Sequence, residues 1–240
     1  MDALIIFSKI PIPGTVKTRL IGTITDEEAA EFANAMLLDL FDKFKNSEFK
    51  VFYAYAPVGK LLQIIESIPS SFEVFPQRGD SMGTKMFASM EYVFKHGYEK
   101  VVLVGADTPQ LSENLVLKAF KSLDKSDVTI SPTYDGGYYL IGAKDVMPME
   151  HVLLSDIRWS TKSVYDTTLE VIKAKKLSVH EGVVLSDIDI ADDINNILDY
   201  TDVGFRTLEN IKKIKNKWVV AVATHLFLYG SIIYSVGEEI

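Results

Sequence analysis

Short apolar segments rich in β-branched and aromatic residues alternate with helical segments along most of the chain. The apolar segments predict strands at 3–8, 50–56, 72–77, 100–107, 127–132 and 137–143. The helical patterns span 25–46, 59–68, 81–97, 112–123, 160–176 and 191–200, and 177–190 reads as extended. Strands that alternate with helices form a mostly parallel sheet with helices on both faces. The sequence therefore predicts an α/β, Rossmann-like architecture.

Charge and composition argue against several classes of protein. The chain has 25 basic and 33 acidic residues, a net charge of −8, whereas a protein that binds duplex nucleic acid usually has a basic face. Cysteine is absent, which excludes disulfides and thiolate metal sites. No basic region precedes the first apolar run, so we expect no signal peptide and a cytoplasmic protein. The acidic net charge leads us to expect no nucleic-acid partner.

Ligands of such sheets bind beyond the carboxyl ends of the strands, so the loops after the strands are the candidate sites. The first loop lies in FSKIPIPGTVKTRL and lacks the second glycine of a P-loop. Gly14 permits close approach of the backbone to a ligand, and Lys17 and Arg19 supply cations that suit phosphate oxygens. Ser8, at the end of the strand, joins this predicted phosphate site. A turn with solvated cations is the alternative.

Carboxylates follow two later apolar segments. Asp107 ends the segment KVVLVGAD, where it could either cap a local turn or bind a hard cation such as Mg²⁺ or Mn²⁺. Asp187 and Asp189 precede the helix that starts near residue 191, and we prefer Asp189 as a second ligand. Asp192 and Asp193 are better explained as acidic residues that stabilise the N-terminus of that helix.

The sequence QRGDSMGTKM follows the third strand and opens a helix. Its two glycines, Gly79 and Gly83, permit a close approach of backbone and ligand, and a helix N-terminus favours an anion or a polar base edge. We predict that Gln77, Gly79, Asp80 and Gly83 contribute to nucleotide binding. An ordinary loop capped by Ser81 is the alternative.

Two further segments are candidates for binding an acceptor. In SPTYDGGYYLIG, Asp135 could reach an acceptor hydroxyl, although D-G is also the signal of a tight hairpin turn. In IRWST, an exposed Trp159 would stack on a sugar or base, whereas a buried one would belong to the core. The residues predicted to bind the acceptor are Gly136, Gly137, Tyr138, Trp159 and Thr161.

These motifs together resemble a bacterial transferase family with the nucleotide-diphosphosugar transferase (glycosyltransferase A-type) fold, some of whose members are associated with arsenosugar biosynthesis. The motifs are FSKIPIPGTVKTRL, QRGDSMGTKM, GADTPQL, DGGYYLIG, RWST and DIDIADDI, in the expected order over residues 3 to 200. The family is also similar to 2-phospholactate and molybdenum-cofactor guanylyltransferases, which share the fold and transfer nucleotides.

The resemblance implies roles for individual residues. It makes Asp107 the metal ligand after the fourth strand and Asp189 the second ligand. Asp107, as a metal ligand, and Asp135, as the residue that could reach the acceptor hydroxyl, are the predicted catalytic residues. Two departures stand out: Lys85 occupies a position where an Arg is common, and the late segment reads D-I-D-I instead of D-x-D-T.

Two enzyme classes fit the motifs, since both need a metal and cations that hold phosphates. A glycosyltransferase would use a nucleotide-diphosphate sugar and a small-molecule acceptor, and a nucleotidyltransferase would use a nucleoside triphosphate and release pyrophosphate. The nucleotidyltransferase signature usually has a loop richer in glycine, so a single glycine in the first loop favours glycosyl transfer. A nucleotide-binding domain without catalysis is the third alternative.

The composition changes after residue 200. We predict a transferase domain over 1–200, a basic linker helix over 201–217 and an apolar tail over 218–240. Within that tail, residues 218–237 contain no Asp, Glu, Lys or Arg, and twenty helical residues span about 30 Å, the thickness of the hydrocarbon core. The tail could therefore associate with a membrane or pack on the body.

Overall fold

A computed structural model describes residues 1–197 and 202–217, so the apolar tail lies outside the described residues. Seven strands form one sheet in the order β3-β2-β1-β4-β6-β5-β7. Their bounds are β1 Asp2–Lys9, β2 Lys50–Ala56, β3 Glu73–Pro76, β4 Lys100–Gly105, β5 Val128–Pro132, β6 Tyr138–Ala143 and β7 Val179–Glu181. Only β6 runs antiparallel to its neighbours β4 and β5. The mostly parallel sheet predicted from the alternating pattern is confirmed.

In the described part of the chain, five helices connect the strands and a sixth follows β7. Residues 205–217 form a further helical segment, which together with 202–204 is called here the C-terminal segment. The helices are α1 Asp26–Phe44, α2 Met82–Lys95, α3 Glu113–Ser122, α4 Val146–Leu153, α5 Val164–Ala174 and α6 Asp193–Asn196. Helix α1 begins with a capping box, because Thr25 and Glu28 each accept the other's backbone N–H. Among the described residues, no helix is long and apolar enough to cross a membrane.

Both faces of the sheet are covered. Alternate residues of β1 point to opposite faces, so Leu4 and Ile6 join one apolar cluster with α1 and α3. Ala3 and Ile5 join a second cluster with α2, α4 and α5. A buried sheet of this kind leaves only its strand ends to face a ligand.

One helix prediction was wrong, and one helix was not predicted. Residues 59–68 form two 3₁₀ turns, Leu61–Gln63 and Ile65–Ser67, because a 3₁₀ turn places Leu61 and Ile64 on one side, against the first cluster, and leaves Leu62 exposed. The sequence reading also missed α4, where Pro148 sits in the first helical turn, the one part of a helix that tolerates it.

A third apolar cluster ties the end of the described chain to the body. It joins Leu20 and Ile24 of the first loop, Phe32 and Met36 of α1, and residues from 188 to 214. The latter are Ile188, Ile194, Ile197, Val203, Ile211 and Ile214. The C-terminal segment is therefore packed beside the loop that carries Lys17 and Arg19, although the predicted division of the chain at residue 200 stays a prediction.

Candidate active site

Strands β1 and β4 are neighbours, so the loops that follow them meet at one edge of the sheet. Phe7 pairs with Gly105 at the ends of the two strands. The first loop then brings Lys17 against Asp107, and the Nζ–Oδ1 distance is 2.8 Å. These two loops were chosen from the sequence because ligands of such sheets bind beyond the carboxyl ends of the strands. In the structure, the cation of one loop contacts the carboxylate of the other.

Lys17 lies at the centre of a charged group. Its side chain is only 3% exposed, and besides Asp107 its Nζ contacts Oδ1 of Asp189 at 3.3 Å and the carbonyl oxygen of Ile188. The backbone of Lys17 has a φ of 48°, a left-handed conformation that costs a non-glycine residue about 1–2 kcal/mol. Such strain persists where surrounding contacts enforce it, and functional sites are where it clusters.

The charge state of Lys17 follows from two opposing effects. Burial alone would lower the pKa of its ammonium group, but the neighbouring Asp107 and Asp189 outweigh burial and raise the pKa above its ordinary value. The charged form of Lys17 is therefore favoured, and its ammonium group contacts both carboxylates.

Arg19 occupies the outer side of the same group. Its side chain is 62% exposed, and Nη1 lies 3.2 Å from Oδ2 of Asp189. The backbone around Asp189 is held by a neighbour that the sequence reading did not assign to the site. Both Asp189 and Ile190 donate their backbone N–H to Oδ2 of Asp193, at 2.8 Å each. Asp193 was read only as a helix-stabilising acid, whereas its carboxylate also fixes the loop that carries Asp189.

Two more carboxylates lie close to this group. Burial raises the pKa of Asp187 to about 6, and the nearby charges of Asp135 and Asp189 add to the rise. The site therefore gathers carboxylates from loops that are far apart in sequence. Among the described residues, no three His, Asp or Glu side chains are grouped so as to hold a metal ion by themselves.

The hairpin turn between β5 and β6 presents Asp135. Oδ1 of Asp135 accepts hydrogen bonds from the Thr133 hydroxyl at 2.6 Å and from the Gly137 amide at 2.8 Å. Gly136 has a φ of 92°, and a Cβ there would lie 1.9 Å from the carbonyl oxygen of Lys162. The D-G-G sequence thus forms the tight hairpin turn that was the alternative interpretation of this segment. The same turn places the exposed carboxylate of Asp135 near Asp187.

The predicted acceptor residues differ in accessibility. Trp159 is half-buried and meets Tyr138 edge-on, with ring centroids 6.5 Å apart. The Tyr138 hydroxyl is buried and has no hydrogen-bond partner among the described residues, and burial raises its pKa. Because that hydroxyl is buried, the structure favours the interpretation that Tyr138 and Trp159 belong to the core over the interpretation that they bind an acceptor. Thr161 is exposed and donates to the Arg158 carbonyl oxygen at 2.8 Å.

The third loop is held largely by its own contacts. The buried Gln77 amide donates to the carbonyl oxygens of Ser8 and Ala54, at 2.9 Å each, and so joins the ends of β1 and β2. A Cβ at Gly79, where φ is 129°, would lie 2.6 Å from the Thr84 hydroxyl.

The other residues of this loop divide between the surface and the core. Gly83 is buried, and a Cβ there would lie 2.1 Å from the Leu153 carbonyl oxygen. The smallness of Gly83 therefore serves packing of α2 against α4 instead of an approach to ligand. Asp80 is exposed, and Gly14 has a φ of 74° in the first loop.

The fold is that of the nucleotide-diphospho-sugar transferases and nucleotidyltransferases. The chain belongs to DUF2064, a family described as uncharacterized proteins conserved in bacteria, whose model matches residues 38–161. That match contains Asp107, Asp135 and Trp159 but not the first loop or Asp189. No curated protein matches the chain at a significant level.

Several solved structures share this fold. A protein from Desulfovibrio desulfuricans G20, named as a "putative nucleotide-diphospho-sugar transferase", is 29% identical, with a TM-score of 0.80 over 90% of this chain and 97% of that one. A cytidylyltransferase from Leptospira borgpetersenii is 13% identical, with a TM-score of 0.55 over 91% and 95% of the two chains. Rv0371C of Mycobacterium tuberculosis H37Rv, solved with manganese, is 12% identical, with a TM-score of 0.50 over 82% and 98%.

Proposed function

We propose that the protein is a metal-dependent transferase that takes a nucleotide-diphosphate sugar as donor and transfers the sugar to a small-molecule acceptor. One observation carries the proposal: Lys17 and Arg19 meet Asp107 and Asp189 at the carboxyl edge of the parallel sheet. Cations and carboxylates at this edge suit a diphosphate together with the metal ion that neutralises it.

The two cations take different parts in this proposal. Arg19 is exposed, and its guanidinium fork can turn toward phosphate oxygens and hold two of them at once. Lys17 is buried between two carboxylates. Its proposed part is to hold Asp107 and Asp189 in place, and its effect on a phosphate is indirect. Ser8, near the end of β1, and Gln77, directly after β3, are joined by a hydrogen bond and border the same edge.

A divalent cation fits the chemistry of these side chains. Mg²⁺ and Mn²⁺ prefer oxygen ligands, and Mg²⁺ commonly takes one or two carboxylates from a protein and completes its shell with water and substrate phosphates. Asp107 and Asp189 would hold the ion, which would neutralise the leaving diphosphate when bound. The clustering of Asp135, Asp187 and Asp189 favours an additional positive charge, because like charges at close range repel.

Asp135 is the residue proposed to receive the acceptor. Its carboxylate is exposed, and the bonds from Thr133 and Gly137 fix its orientation. A carboxylate held in this way can accept a hydrogen bond from an acceptor hydroxyl and orient it for transfer. Gly136, Gly137 and Thr161 lie at the same turn or near it, whereas Tyr138 and Trp159 pack with the core.

Nucleotidyl transfer is the second candidate, because a triphosphate needs the same cations and carboxylates. Product analysis separates the two. The full-length protein is incubated with Mn²⁺, a mixture of small hydroxylated acceptors, and either nucleotide sugars or nucleoside triphosphates. Release of nucleoside diphosphate from a nucleotide sugar supports glycosyl transfer, and release of pyrophosphate supports nucleotidyl transfer. Neither product, with nucleotide binding retained, would indicate a nucleotide-binding domain without catalysis.

We also propose that the protein is cytoplasmic and that its tail associates with a membrane. The support is the sequence alone, since residues 218–237 carry no charged side chain and follow the lysines of 212–217, which suit a cytoplasmic flank. Full-length protein should sediment with membranes, and a chain that ends at Asn216 should stay in the supernatant. Full-length protein that remains in the supernatant without detergent would contradict this proposal.

A further inference from the structure

Lys43, on helix α1, is a second largely buried cation near the site. Its Nζ donates to the carbonyl oxygens of Pro109 at 3.1 Å, of Asp202 at 3.0 Å and of Leu111. An ammonium group has three donors, so these three carbonyls use all of them. Burial lowers the pKa of Lys43, although the charges of Asp202 and Asp39 oppose the effect.

Two of those carbonyls belong to the loop that begins at Asp107. Asp107 is exposed, but the next four residues, 108–111, are buried. Buried backbone oxygens need hydrogen-bond partners, and Lys43 supplies one to each of two residues of this loop. At the other end of the loop, the carbonyl oxygen of Asp107 accepts from the Ile188 amide at 3.0 Å. The position of Asp107 is therefore fixed by contacts at both ends of its loop.

The third carbonyl belongs to the C-terminal segment, which Asp39 anchors to α1. Asp39 is 8% exposed and accepts from the backbone amides of Thr207 at 2.8 Å and Arg206 at 3.3 Å. The two elements are so close that a Cβ at Gly204 would lie 2.3 Å from Cγ of Asp39. Asp39 thus acts as the cap of a helical segment that is distant in sequence. Among the residues that the structure describes, its side-chain hydrogen bonds go to the C-terminal segment and to neither site loop.

We propose that Lys43 is a positioning residue: it sets the place of the Asp107 loop by joining that loop to the C-terminal segment, which Asp39 holds against α1. This inference rests on the proposed function in one respect, because Asp107 is the proposed metal ligand. Its structural part, the link between residues 202–207 and the loop after β4, stands apart from any activity.

Amide hydrogen exchange tests the link without a ligand. The Ile188 and Leu111 amides report on the loop, because they donate to the carbonyl oxygens of Asp107 and Thr108. Lys43→Met should speed their exchange about tenfold or more relative to the Ile5 amide in the sheet centre, because two buried carbonyls lose their donor. Lys45→Met is the matched control: this lysine is two residues further on, its side chain pairs with Asp42 at the surface, and no change is expected.

Asp39→Ala separates positioning from local damage, because the hydrogen bonds of Asp39 go to Arg206 and Thr207 and its charge reaches the loop only through Lys43. Faster exchange at Ile188 and Leu111 in Asp39→Ala, partial restoration in Lys43→Arg, and about tenfold weaker Mn²⁺-dependent nucleotide binding in Lys43→Met would support the proposal. If Lys43→Met does not fold, Asp39→Ala carries the same test. Exchange at Ile188 that stays at the wild-type rate in Asp39→Ala overturns the link. If wild-type protein binds no nucleotide but the exchange result holds, the proposed function fails and the link does not.

Discussion

Arg19 and Lys17 are two residues apart in the chain, yet their surroundings differ. Lys17 is 3% exposed and Arg19 is 62% exposed, although both contact Asp189. An exposed ion pair contributes at most about 1 kcal/mol to stability, whereas breaking a buried pair is far more costly. The two cations should therefore respond differently to substitution.

Arg19→Ala should weaken the binding of a nucleoside diphosphate about tenfold or more, because a charge-assisted hydrogen bond contributes about 1.5–3 kcal/mol. Its melting temperature should stay close to that of the wild type. Lys118→Ala removes one exposed positive charge from α3 and is the control for net charge. Titration calorimetry measures both variants, and equal affinities in Arg19→Ala and wild type would remove Arg19 from the phosphate site.

Among the glycines of the described residues, Gly136 is the one whose added Cβ would lie nearest to another atom. A side chain there meets both a left-handed backbone, with φ of 92°, and a carbonyl oxygen 1.9 Å away. Gly22 has a φ of 102° but open space around it. Gly22→Ala should cost about 1–2 kcal/mol, the price of the left-handed conformation alone, and Gly136→Ala clearly more. Urea unfolding compares the two, and equal losses would mean that the Lys162 contact does not constrain the turn.

The residues of the site were partly readable from sequence. Lys17, Arg19 and Asp107 were predicted as site residues because they follow predicted strands. The structure brings them together with Asp189. The burial of Lys17 was not readable, because its partner Asp189 is 172 residues away in the chain. Gly83 was misread for a related reason: its packing partner, Leu153, lies in a helix that the sequence reading missed.

At the scale of elements, pattern length decided what could be predicted. Long amphipathic segments such as α1, and apolar strands such as β4, were found close to their observed bounds. Short elements were not: the 59–68 segment has apolar residues at both 3₁₀ and α-helical spacings, and only contact with the first apolar cluster selects between them. Tertiary packing overrides local preference most easily where an element is short.

The adjacent acids Asp192 and Asp193 give a paired test of a loop anchor. Asp193 accepts the backbone amides of Asp189 and Ile190, whereas the Asp192 side chain makes no capping bond. Asp193→Ala should lower stability by about 1 kcal/mol, as the loss of a capping side chain does, and should weaken Mn²⁺-dependent nucleotide binding. Asp192→Ala should change neither. If calorimetry shows the same loss of affinity in both variants, the loss of negative charge, and not the loss of the Asp193 hydrogen bonds, would explain the weaker binding.

At the scale of the whole molecule, the third apolar cluster unites parts of the chain that are far apart in sequence. Leu20 follows Lys17 and Arg19, Ile188 precedes Asp189, and Ile211 belongs to the C-terminal segment. The described residues after 201 are thus packed against both of the loops that supply Arg19 and Asp189. A change in composition near residue 200 was visible in the sequence, but this packing was not, because no local pattern encodes it.

The central claim is that a nucleotide donor binds at the Lys17–Asp107–Asp189 group with the help of a divalent metal. Titration calorimetry of nucleoside diphosphates against the full-length protein, with Mn²⁺ or with a chelator, tests it most directly. Asp107→Asn keeps the shape of the side chain and removes its charge, and Glu150→Gln on the exposed side of α4 is the matched control. We expect binding with Mn²⁺ in wild type and Glu150→Gln, and a loss of about tenfold or more with chelator or in Asp107→Asn. Affinity that is the same with chelator, and the same in Asp107→Asn, would contradict the account.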